Sequence, residues 1–460
     1  MNATQMALHG ATADSVLVRY YTTLQAAAKL YQAETGGSAS SPGFRPSSDL
    51  PELTEPLTRF FEPAQMRMAS LPAYRGHSLE LLDLMRNPAT RTTKTFPSLL
   101  IIARAVAHIR STRERIMIVT PTSGNKGTAL RDAVLRAIQT GLVRPSDLSV
   151  AMVAPQAALP KLWASPLSTD PGLQRRNPVM LHAGPVPDGV KVLASEFVRT
   201  SSERFMDHWG LRLWFTLDLA NYIVADTARA CFEADVLPAG TGRKRVHAHA
   251  VSSAFGLLGY HLGRRVLIGE PDPGHPRFLL VQHLRTPDMV LSLRQASSPH
   301  ATRPAFTRRT AGACYVQDSD PAFPYITEDP DEELDTTFYT RRPATSATIN
   351  GIISTHGGGG IVVSRRECQD RYDELRSWLA EVDIALPADS GKLREWSLVM
   401  VLTGVLNAVD RGLLPEGSQV VVHASGSYAE GDYAPLPLSG TSAVSSLADI
   451  SQVVAKAAPP

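Results

Sequence analysis

Short runs of apolar residues alternate along the chain with longer stretches in which apolar residues recur at helical spacing. One such unit consists of the apolar run Ile116–Val119, the helical stretch Ala129–Thr140 and a second apolar run, Leu148–Ala154. Apolar runs of this length are typical of buried strands, and a helix between two of them is typical of a βαβ unit. The pattern therefore predicts a parallel sheet with helices on its faces.

The same patterns continue on both sides of this unit and predict an α/β fold. Further strands are predicted at Pro178–His182, Val190–Val192, Trp214–Thr216, Val246–Val251, Phe278–His283, Ile361–Val363 and Gln419–His423. Helices are predicted at Ser15–Gln32, Leu53–Phe61, Ser78–Met85, Ser195–Trp209, Asn221–Ala234, Arg366–Val382 and Leu393–Arg411, with others beginning at Pro97 and Leu257. Residues 296–345 contain prolines and an acidic run without a periodic pattern, so we expect a lid or an insertion there.

Composition narrows the class of protein. The chain has 460 residues, of which 20% are charged and 43% are apolar, and a net charge of +2. This length is enough for two domains of one α/β body, and the charge gives no indication of a nucleic-acid partner. Three widely spaced cysteines form neither a disulfide framework nor a zinc pattern. Since we find no signal peptide and no apolar run long enough to cross a membrane, we expect a soluble, cytoplasmic protein.

Two turns rich in Ser, Thr, Gly and Asn precede helices in this pattern, Asn87–Phe96 and Thr120–Thr128. Backbone N–H groups and the positive end of a helix dipole converge at such turns, which favours an anionic or aldehyde-bearing ligand. Lys94 in the first turn is a candidate nucleophile for a Schiff base, provided that it lies near the second turn and is partly desolvated. Lys126 in the second turn is the competing lysine, and we expect it to be solvated or to contact a phosphate.

Together the two turns resemble those of the pyridoxal-phosphate (PLP) enzymes of fold type II, the superfamily of cysteine synthase, tryptophan synthase β and threonine synthase. In these enzymes an Asn-Pro-Thr-Gly-Ser-Phe-Lys turn carries the cofactor lysine, and a Ser-Gly-Asn turn follows. Here Asn87-Pro88 precedes Lys94, and Asn125 comes 125 − 94 = 31 positions after that lysine, which agrees with the family's spacing. The first turn departs from the family pattern because it has one extra residue, lacks the glycine and has Thr-Phe after the lysine.

The resemblance extends over residues 85–435 and is strongest to threonine synthase. The segments that carry it are Leu213–Glu233, Val281-Gln282, Ile349–Val363 and Gly412–Gly426. It implies two open α/β domains, each with a mostly parallel sheet, with PLP in the cleft between them. The expected parts are an N-terminal helical segment and linker (1–45), a large cofactor domain (46–110 and 226–437, with the insertion 296–345), a small mobile domain (111–225) and a low-complexity C-terminal tail (438–460). The resemblance also implies an amino-acid substrate and a homodimer.

The resemblance implies a role for each turn. Lys94 is expected to hold PLP and to move protons on the substrate, and Asn125 is expected to lie beside the pyridine ring. The residues expected to bind the substrate are Thr122, Ser123 and Gly124. Ser425, which follows the last strand, is expected next to the pyridine nitrogen, where a neutral hydroxyl favours elimination and replacement over transamination.

Two stretches compete for the cofactor phosphate. The first stretch lies between a strand and a helix and consists of Ser252, Ser253, Ala254, Phe255 and Gly256. The second, His356–Gly360, is richer in glycine and resembles the tetraglycine of threonine dehydratase, but it precedes a strand. We favour the first stretch because the start of a helix supplies free backbone N–H groups.

The expected function is therefore a PLP-dependent β- or γ-elimination or replacement on an amino acid. The altered lysine turn and the glycine-poor phosphate loop indicate a modified substrate, in a specialised biosynthetic pathway. The alternative is an inactive scaffold of the same fold that has lost PLP. His356 with its glycines also resembles the oxyanion-hole motif of esterases, but no Gly-x-Ser-x-Gly follows residue 360. His247 and His249 have no nearby carboxylate or cysteine in the sequence, so no metal site is predicted.

Overall fold

The computed structural model describes residues 11–36, 43–184, 188–237, 242–309, 314–338 and 340–459. Predictions for residues 1–10 and 37–42 of the N-terminal segment and linker, and for 310–313 and 339 of the insertion, lie outside the described residues. Within the described ranges, no helix is long and apolar enough to cross a membrane.

The strands of the described residues are β1 (Ala11–Ala13), β2 (Met66–Tyr74), β3 (His77–Asp83), β4 (Arg115–Pro121), β5 (Leu148–Pro155), β6 (Val179–His182), β7 (Leu211–Phe215), β8 (Arg245–Ala250), β9 (Arg277–His283), β10 (Thr307–Arg308), β11 (Tyr315–Val316), β12 (Ile326–Thr327), β13 (Gly358–Val363), β14 (Leu393–Glu395), β15 (Gln419–Ala424), β16 (Tyr428–Ala429) and β17 (Thr441–Val444).

The α-helices of the same ranges are α1 (Val16–Arg19), α2 (Tyr21–Thr35), α3 (Glu55–Phe61), α4 (Thr95–Thr112), α5 (Asn125–Gln139), α6 (Pro166–Thr169), α7 (Pro171–Arg176), α8 (Gly189–Trp209), α9 (Leu219–Asp226), α10 (Ala228–Val236), α11 (Phe255–Ile268), α12 (Asp288–Ser297), α13 (Ser346–His356), α14 (Arg365–Ala380), α15 (Ser397–Asp410) and α16 (Leu447–Ala457). Short 3₁₀ helices cover Gln156–Lys161, Ser390–Lys392 and Leu438–Gly440.

The larger sheet has seven strands in the order β1-β2-β3-β15-β8-β9-β13. The five strands from β3 to β13 are parallel, whereas β1 and β2 pair antiparallel at one edge. Helix α15 covers one face so closely that a Cβ on its Gly404 would lie 2.5 Å from the side chain of Val281 in β9. Because the central strands are covered on both faces, β9 and β15 contain the apolar runs Phe278–Val281 and Val420–Val422.

The smaller sheet has five parallel strands in the order β17-β6-β5-β4-β7. Every residue of β5 is buried, which explains why all of them except Ser149 are apolar. The outer strand β17 and helix α16 come from the low-complexity segment 438–460, and Ile450 and Val454 of α16 share a core with Phe197 of α8. This segment is therefore part of the layered structure around the smaller sheet.

Helix α4 connects the two sheets. Its apolar side chains share one core with Ile118 of β4 in the smaller sheet and Val421 of β15 in the larger one. A helix that is apolar on all sides is expected to be buried in this way. The turn before α4 is attached to the end of β15, because the N–H of Thr93 donates to the Ser425 carbonyl at 2.9 Å. Lys94 is thereby held at the carboxyl ends of the strands.

The predicted α/β fold with mostly parallel sheets is confirmed, and the predicted βαβ unit is present as β4, α5 and β5. Three local predictions are wrong. Ser78–Met85 was predicted as a helix but contains most of the strand β3. Its closely spaced leucines fit both the 3.6-residue period of a helix and the two-residue period of a strand. Val190–Val192 was predicted as a strand and belongs to α8, since three apolar residues are too few to separate the two periods. Leu393–Glu395 forms the strand β14 rather than the first turn of α15.

Candidate active site

A cavity of about 470 Å³ lies between the two sheets. It opens at the carboxyl end of β4 in the smaller sheet and at the carboxyl ends of β8 and β15 in the larger sheet. In open parallel sheets the loops beyond the carboxyl ends of the strands form the usual ligand site. The predicted site residues that line this cavity are Lys94, Thr122, Ser123, Asn125, Ser252, Ser253, Ala254, Phe255, Gly256 and Ser425. Gly124 is the predicted residue that does not line it.

Lys94 presents a free amine to this cavity. Its Nζ lies 6.0 Å from the centre of the Tyr222 ring and forms no hydrogen bond or ion pair with any residue that the structure describes. Burial lowers the pKa of Lys94 below its usual range, and the nearby charge of Asp226 only partly opposes this effect. A partly desolvated amine with a lowered pKa is the form of lysine that reacts with aldehydes.

The position of Lys94 is fixed through the end of β15. In addition to the bond from Thr93, the hydroxyl of Thr92 donates to the Ser425 carbonyl at 3.1 Å, and Thr92 forms a bridge with Gly426. The hydroxyl of Ser425 makes no hydrogen bond within the described part of the chain and faces the cavity. Lys94 and the Ser425 hydroxyl therefore share one cavity although 331 positions separate them (425 − 94).

Arg229 of α10 is a site residue that the sequence did not predict. It is buried, its Nη2 donates to the Thr93 hydroxyl at 2.8 Å, and its Nε donates to Asp226 at 2.8 Å. A Cβ on Gly256 would lie 2.6 Å from Nη1 of Arg229, so only glycine leaves room for the guanidinium there. The arginine thus places a cation beside the stretch Ser252–Gly256.

Ser252–Gly256 form the connection from β8 to the start of α11. Ala254 has a left-handed conformation with φ of 51°, and its carbonyl accepts hydrogen bonds from Leu257 and Leu258. The N–H groups that precede Leu257 therefore have no partner in the helix and can bind an anion. Together with Arg229, they supply positive potential at one end of the cavity.

The competing glycine stretch lies at the opposite end of the larger sheet. Gly358–Gly360 are the first residues of β13, and they pair with the first half of β9, beginning with Gly358 opposite Phe278. The cavity adjoins the carboxyl ends of the parallel strands, whereas these glycines are at their amino ends. None of the glycines from 357 to 360 lines the cavity.

The second turn is organised by its own threonine. The Thr122 hydroxyl accepts hydrogen bonds from the N–H groups of Gly124 at 3.0 Å and Gly127 at 2.9 Å. Gly124 has φ of 131°, and a Cβ there would lie 3.3 Å from Lys161, which explains the requirement for glycine. Ser123 donates to the carbonyl of Thr337 in the insertion at 3.3 Å. The insertion thus covers this side of the cavity.

Asn125 is held by two buried neighbours. Its Nδ2 donates to Glu395 at 2.6 Å, and the hydroxyl of Tyr428 donates to its Oδ1 at 2.7 Å. A side-chain amide has two N–H donors, so one donor of Asn125 is left for a ligand. Neither Glu395 nor Tyr428 was predicted from the sequence.

A buried cation stabilises this arrangement. Lys161 donates to Asp335 at 2.6 Å and to Glu395 at 3.0 Å. Burial alone would lower the pKa of Lys161, but the two carboxylates outweigh it and raise that pKa. Burial would likewise raise the pKa of Asp335, but Lys161 outweighs it and lowers that pKa. Lys161 and Asp335 are therefore ionised at neutral pH, and their pair fixes the insertion against the second turn.

The cavity is electropositive. Among its described lining residues are Lys94, Lys126, Lys191 and Arg229, and none is Asp or Glu. The Nζ of Lys126 is buried and forms no hydrogen bond within the described ranges. Burial, Lys191 and Lys94 together lower the pKa of Lys126 well below its usual range. Such a cavity favours a ligand with more than one negative charge.

Two histidines complete the wall next to Arg229. The rings of His249 in β8 and His423 in β15 stack with their centres 3.8 Å apart, and His423 Nε2 lies 2.8 Å from Nδ1 of His247. All three are buried in the centre of the larger sheet. Burial lowers the pKa values of His249 and His423 well below the usual range, and the neighbouring charges of Arg229 and other histidines add to this effect. The rings of His249 and His423 are therefore neutral at physiological pH.

Comparisons with known proteins agree with this architecture. A family model described as "Family of unknown function (DUF6002)" matches residues 12–458, and no curated protein matches the chain. Threonine synthase from Escherichia coli has 14% identity and a TM-score of 0.55, with 94% of this chain and 88% of that chain covered. At this identity the likeness shows a common fold, and it confirms the predicted PLP-enzyme fold of type II.

Two further structures are similar at lower scores. PLP-bound threonine synthase from Brucella melitensis has 13% identity and a TM-score of 0.47, covering 88% of this chain and 78% of that one. L-serine ammonia-lyase from the fungus Rhizomucor miehei has 12% identity and a TM-score of 0.48, covering 84% of this chain and 99% of that one.

Proposed function

The chain belongs to the DUF6002 family, a family of unknown function, and we propose that it is a PLP-dependent lyase or synthase that acts on an amino acid. The observation that carries the proposal is the free, partly desolvated amine of Lys94 in an electropositive cavity between the two sheets. A reactive amine needs an aldehyde partner, and the surrounding cations require that this partner be anionic. PLP is an aldehyde with a phosphate group.

The side chains of the cavity fit this cofactor. Lys94 would hold its aldehyde carbon, and Arg229 with the free N–H groups before Leu257 would hold its phosphate. The unbonded hydroxyl of Ser425 and the remaining N–H donor of Asn125 would contact the polar positions of its ring. When bound, PLP supplies an electron sink that stabilises negative charge at the Cα of an amino acid.

The other cations of the cavity define the substrate class. Lys126 is a buried amine without a hydrogen bond in the described residues, and Lys191 lines the same space. The lowered pKa of Lys126 means that its charged form needs an anion beside it. Burying a charge is favourable only when an opposite charge compensates it. We therefore assign to Lys126 the binding of an anionic group of the substrate, and to Thr122 and Ser123 the orientation of its carboxylate.

The protonation state of Lys94 suits it to move a proton at the substrate Cα. Its lowered pKa makes the neutral amine, which accepts that proton, more abundant than at an exposed lysine. The neutral hydroxyl of Ser425 favours elimination and replacement over transamination. The proposed reaction is therefore β- or γ-elimination or replacement on an amino acid that carries an anionic leaving group. The phosphorylated homoserine of threonine synthases is an example of such an amino acid.

The test is to add PLP to the purified chain and record its near-ultraviolet and visible absorbance beside Lys94→Ala. We expect a bound-cofactor band that the Lys94→Ala variant lacks. Borohydride reduction and peptide mapping then identify the modified lysine, and Lys126→Ala is the matched control that keeps the label on Lys94. Labelling of Lys126 in the unmodified chain would reverse the assignment of the two lysines. If the chain does not bind PLP, the proposal is wrong and the alternative of a scaffold that has lost the cofactor is favoured.

A further inference from the structure

Three histidines meet at the end of the larger sheet that is opposite to the cavity. His261 lies in α11, His275 lies two residues before β9, and His356 is the last residue of α13, just before β13. One ligand nitrogen of each ring lies within 4.8 Å of the corresponding nitrogens of the other two. These histidines are half-buried and line a second cavity of about 720 Å³, so solvent reaches them.

The rings of this trio face one another closely. Nδ1 of His261 lies 2.9 Å from Nε2 of His275, and the rings of His275 and His356 stack with their centres 3.6 Å apart. Zinc binds imidazole nitrogen at about 2.0–2.1 Å, which places two nitrogens of a tetrahedral site about 3.3 Å apart. The ligand nitrogens of the three histidines already lie within 4.8 Å of one another, and the stacked rings of His275 and His356 must rotate apart to direct their lone pairs at one ion.

A hydrogen bond on the Nδ1 side of the ring fixes the orientation of His275. Its Nδ1 lies 3.0 Å from the carbonyl of Pro276, which can only accept a hydrogen bond, so Nδ1 carries the proton. Nε2 is therefore the atom with a free lone pair, and it points towards His261. A histidine that binds a metal through one ring nitrogen usually donates a hydrogen bond from its other ring nitrogen, often to a backbone carbonyl.

Among the described residues, no carboxylate joins the three histidines in a four-residue set. Two carboxylates line the same cavity, but Glu270 pairs with Arg265 at 2.8 Å, and Asp272 is bonded through both oxygens to Arg264, each at 2.8 Å. Three imidazoles with an open side towards solvent match the sites in which a metal keeps one water ligand. Imidazole ligands suit zinc and its neighbours copper and nickel rather than magnesium or calcium.

We propose that His261, His275 and His356 bind one Zn²⁺ ion, with water as the fourth ligand. The ion joins α11 to the starts of β9 and β13. The insertion 296–345, which covers the cavity on the far side, lies between His275 and His356 along the chain. The ion therefore closes a chain loop of 356 − 275 = 81 positions and stabilises the insertion in its covering position. The histidines come from three separate segments, which explains why no spacing pattern in the sequence indicated a metal.

The test uses the full chain without an affinity tag, stripped with a chelator and then titrated with Zn²⁺ against a chromophoric chelator. We expect one equivalent of bound Zn²⁺ and a melting temperature that rises with Zn²⁺ concentration. His261→Ala and His356→Ala should each weaken binding by more than the roughly 10- to 100-fold that loss of an outer hydrogen-bond partner costs. The matched control is His208→Ala, an exposed histidine of α8 whose ring contacts only its own helix and Trp209 among the described residues.

A chemical measurement covers the case in which a variant does not fold. Zn²⁺ should protect His261, His275 and His356 of the unmodified chain from diethyl pyrocarbonate, as read by peptide mapping, and leave His208 reactive. Failure of the chain to compete with the chelator for Zn²⁺ would overturn the proposal. So would full binding in both alanine variants, which would assign the ion to the buried group His247, His249 and His423. Neither readout depends on PLP or on catalysis.

Discussion

The guanidinium of Arg229 donates a hydrogen bond at 2.8 Å to the hydroxyl of Thr93, the residue before Lys94. This bond ties the cation next to the start of α11 to the turn that carries the reactive amine. A ligand held by both groups needs an anionic group and an aldehyde a short distance apart. The pairing of these two residues therefore supports the proposed PLP site, and it can be tested directly.

Arg229→Gln should weaken the binding of PLP but leave the binding of pyridoxal, which has no phosphate, unchanged. A hydrogen bond to a charged group contributes about 1.5–3 kcal/mol, so the expected loss of affinity is roughly 10- to 150-fold. The measurement is a fluorescence or absorbance titration with each compound. Arg229→Lys keeps a charge beside Asp226, so its affinity for PLP should fall between that of Arg229→Gln and that of the unmodified chain. An equal loss for PLP and pyridoxal would show that the variant disturbs the cavity as a whole.

Lys94 should react with aldehydes at a lower pH than an exposed lysine. Burial lowers its pKa below 10.5, and the neutral amine is the reacting form, so its reaction persists as the pH falls towards that lowered value. Reductive methylation followed by peptide mapping across pH 6–10 measures this, with the exposed Lys392 as the internal reference. Slower modification of Lys94 than of Lys392 at every pH would contradict the prediction.

Lys126→Met should stabilise the chain and weaken its binding of anions. The buried Nζ forms no hydrogen bond in the described residues, and an uncompensated buried polar group costs about 1–3 kcal/mol. The lowered pKa of Lys126 adds a second cost, because the folded chain gives up a proton that the unfolded chain binds. This second part of the destabilisation is present at neutral pH and is lost as the pH rises above the usual lysine pKa. Urea unfolding of the cofactor-free protein at pH 7 measures the gain, and inorganic phosphate should raise the melting temperature less than in the unmodified chain.

The matched control for this variant is Lys191→Met. Lys191 forms an ion pair with Asp188 at 2.5 Å and a hydrogen bond to Thr340, so its removal should not stabilise the chain. A gain in stability for both variants would mean that the effect comes from added apolar surface. The comparison thus isolates the burial of the Lys126 charge.

The structure also shows how far the sequence alone could be interpreted. Lys94 and Asn125 were placed in one site because their turns, 31 positions apart, resemble the two turns of the fold type II PLP enzymes. The contacts of Asn125 with Glu395 and Tyr428 join residues 270 and 303 positions apart. Pairing over such separations leaves no periodic or spacing signal in one sequence. Glu395 lies within the segment Leu393–Arg411 that was predicted as a helix, where nothing in the sequence distinguishes it from a surface glutamate.

The choice between two phosphate loops shows the same limit. Composition favoured the glycines at 357–360, and element order favoured Ser252–Gly256. The order was the better guide to location because parallel strands present all their carboxyl ends on one side of the sheet. Arg229, the cation beside Ser252–Gly256, lies inside the predicted helix Asn221–Ala234 and was indistinguishable there from a structural residue.

Asp335→Asn should reduce stability at neutral pH and remove part of the sensitivity to acid. Lys161 lowers the pKa of Asp335 below 3.8 although burial opposes it. A carboxyl whose folded pKa is lowered contributes stability above its unfolded pKa and loses it as the pH falls through the folded value. The difference in unfolding free energy between the two proteins should therefore be constant above about pH 5 and shrink below about pH 4. If the difference in unfolding free energy between the two proteins does not change with pH, Asp335 and Lys161 do not form an ionised pair.

Gly259→Ala should disrupt the cavity from a distance. Gly259 of α11 packs against α9 so closely that a Cβ would lie 2.7 Å from the carbonyl oxygen of Ile223 and would overlap Asp226. Overpacking of this kind costs about 1–3 kcal/mol. Because Asp226 is the ion-pair partner of Arg229, its displacement should also weaken PLP binding.

Gly351→Ala in α13 is the control for this substitution. A Cβ there meets no atom within 4 Å, and alanine is favoured over glycine inside a helix by about 1 kcal/mol. We therefore expect urea unfolding to show unchanged or slightly higher stability for Gly351→Ala and a clear loss for Gly259→Ala. If Gly259→Ala unfolds like the unmodified chain and binds PLP equally well, the contact between α9 and α11 does not position Arg229.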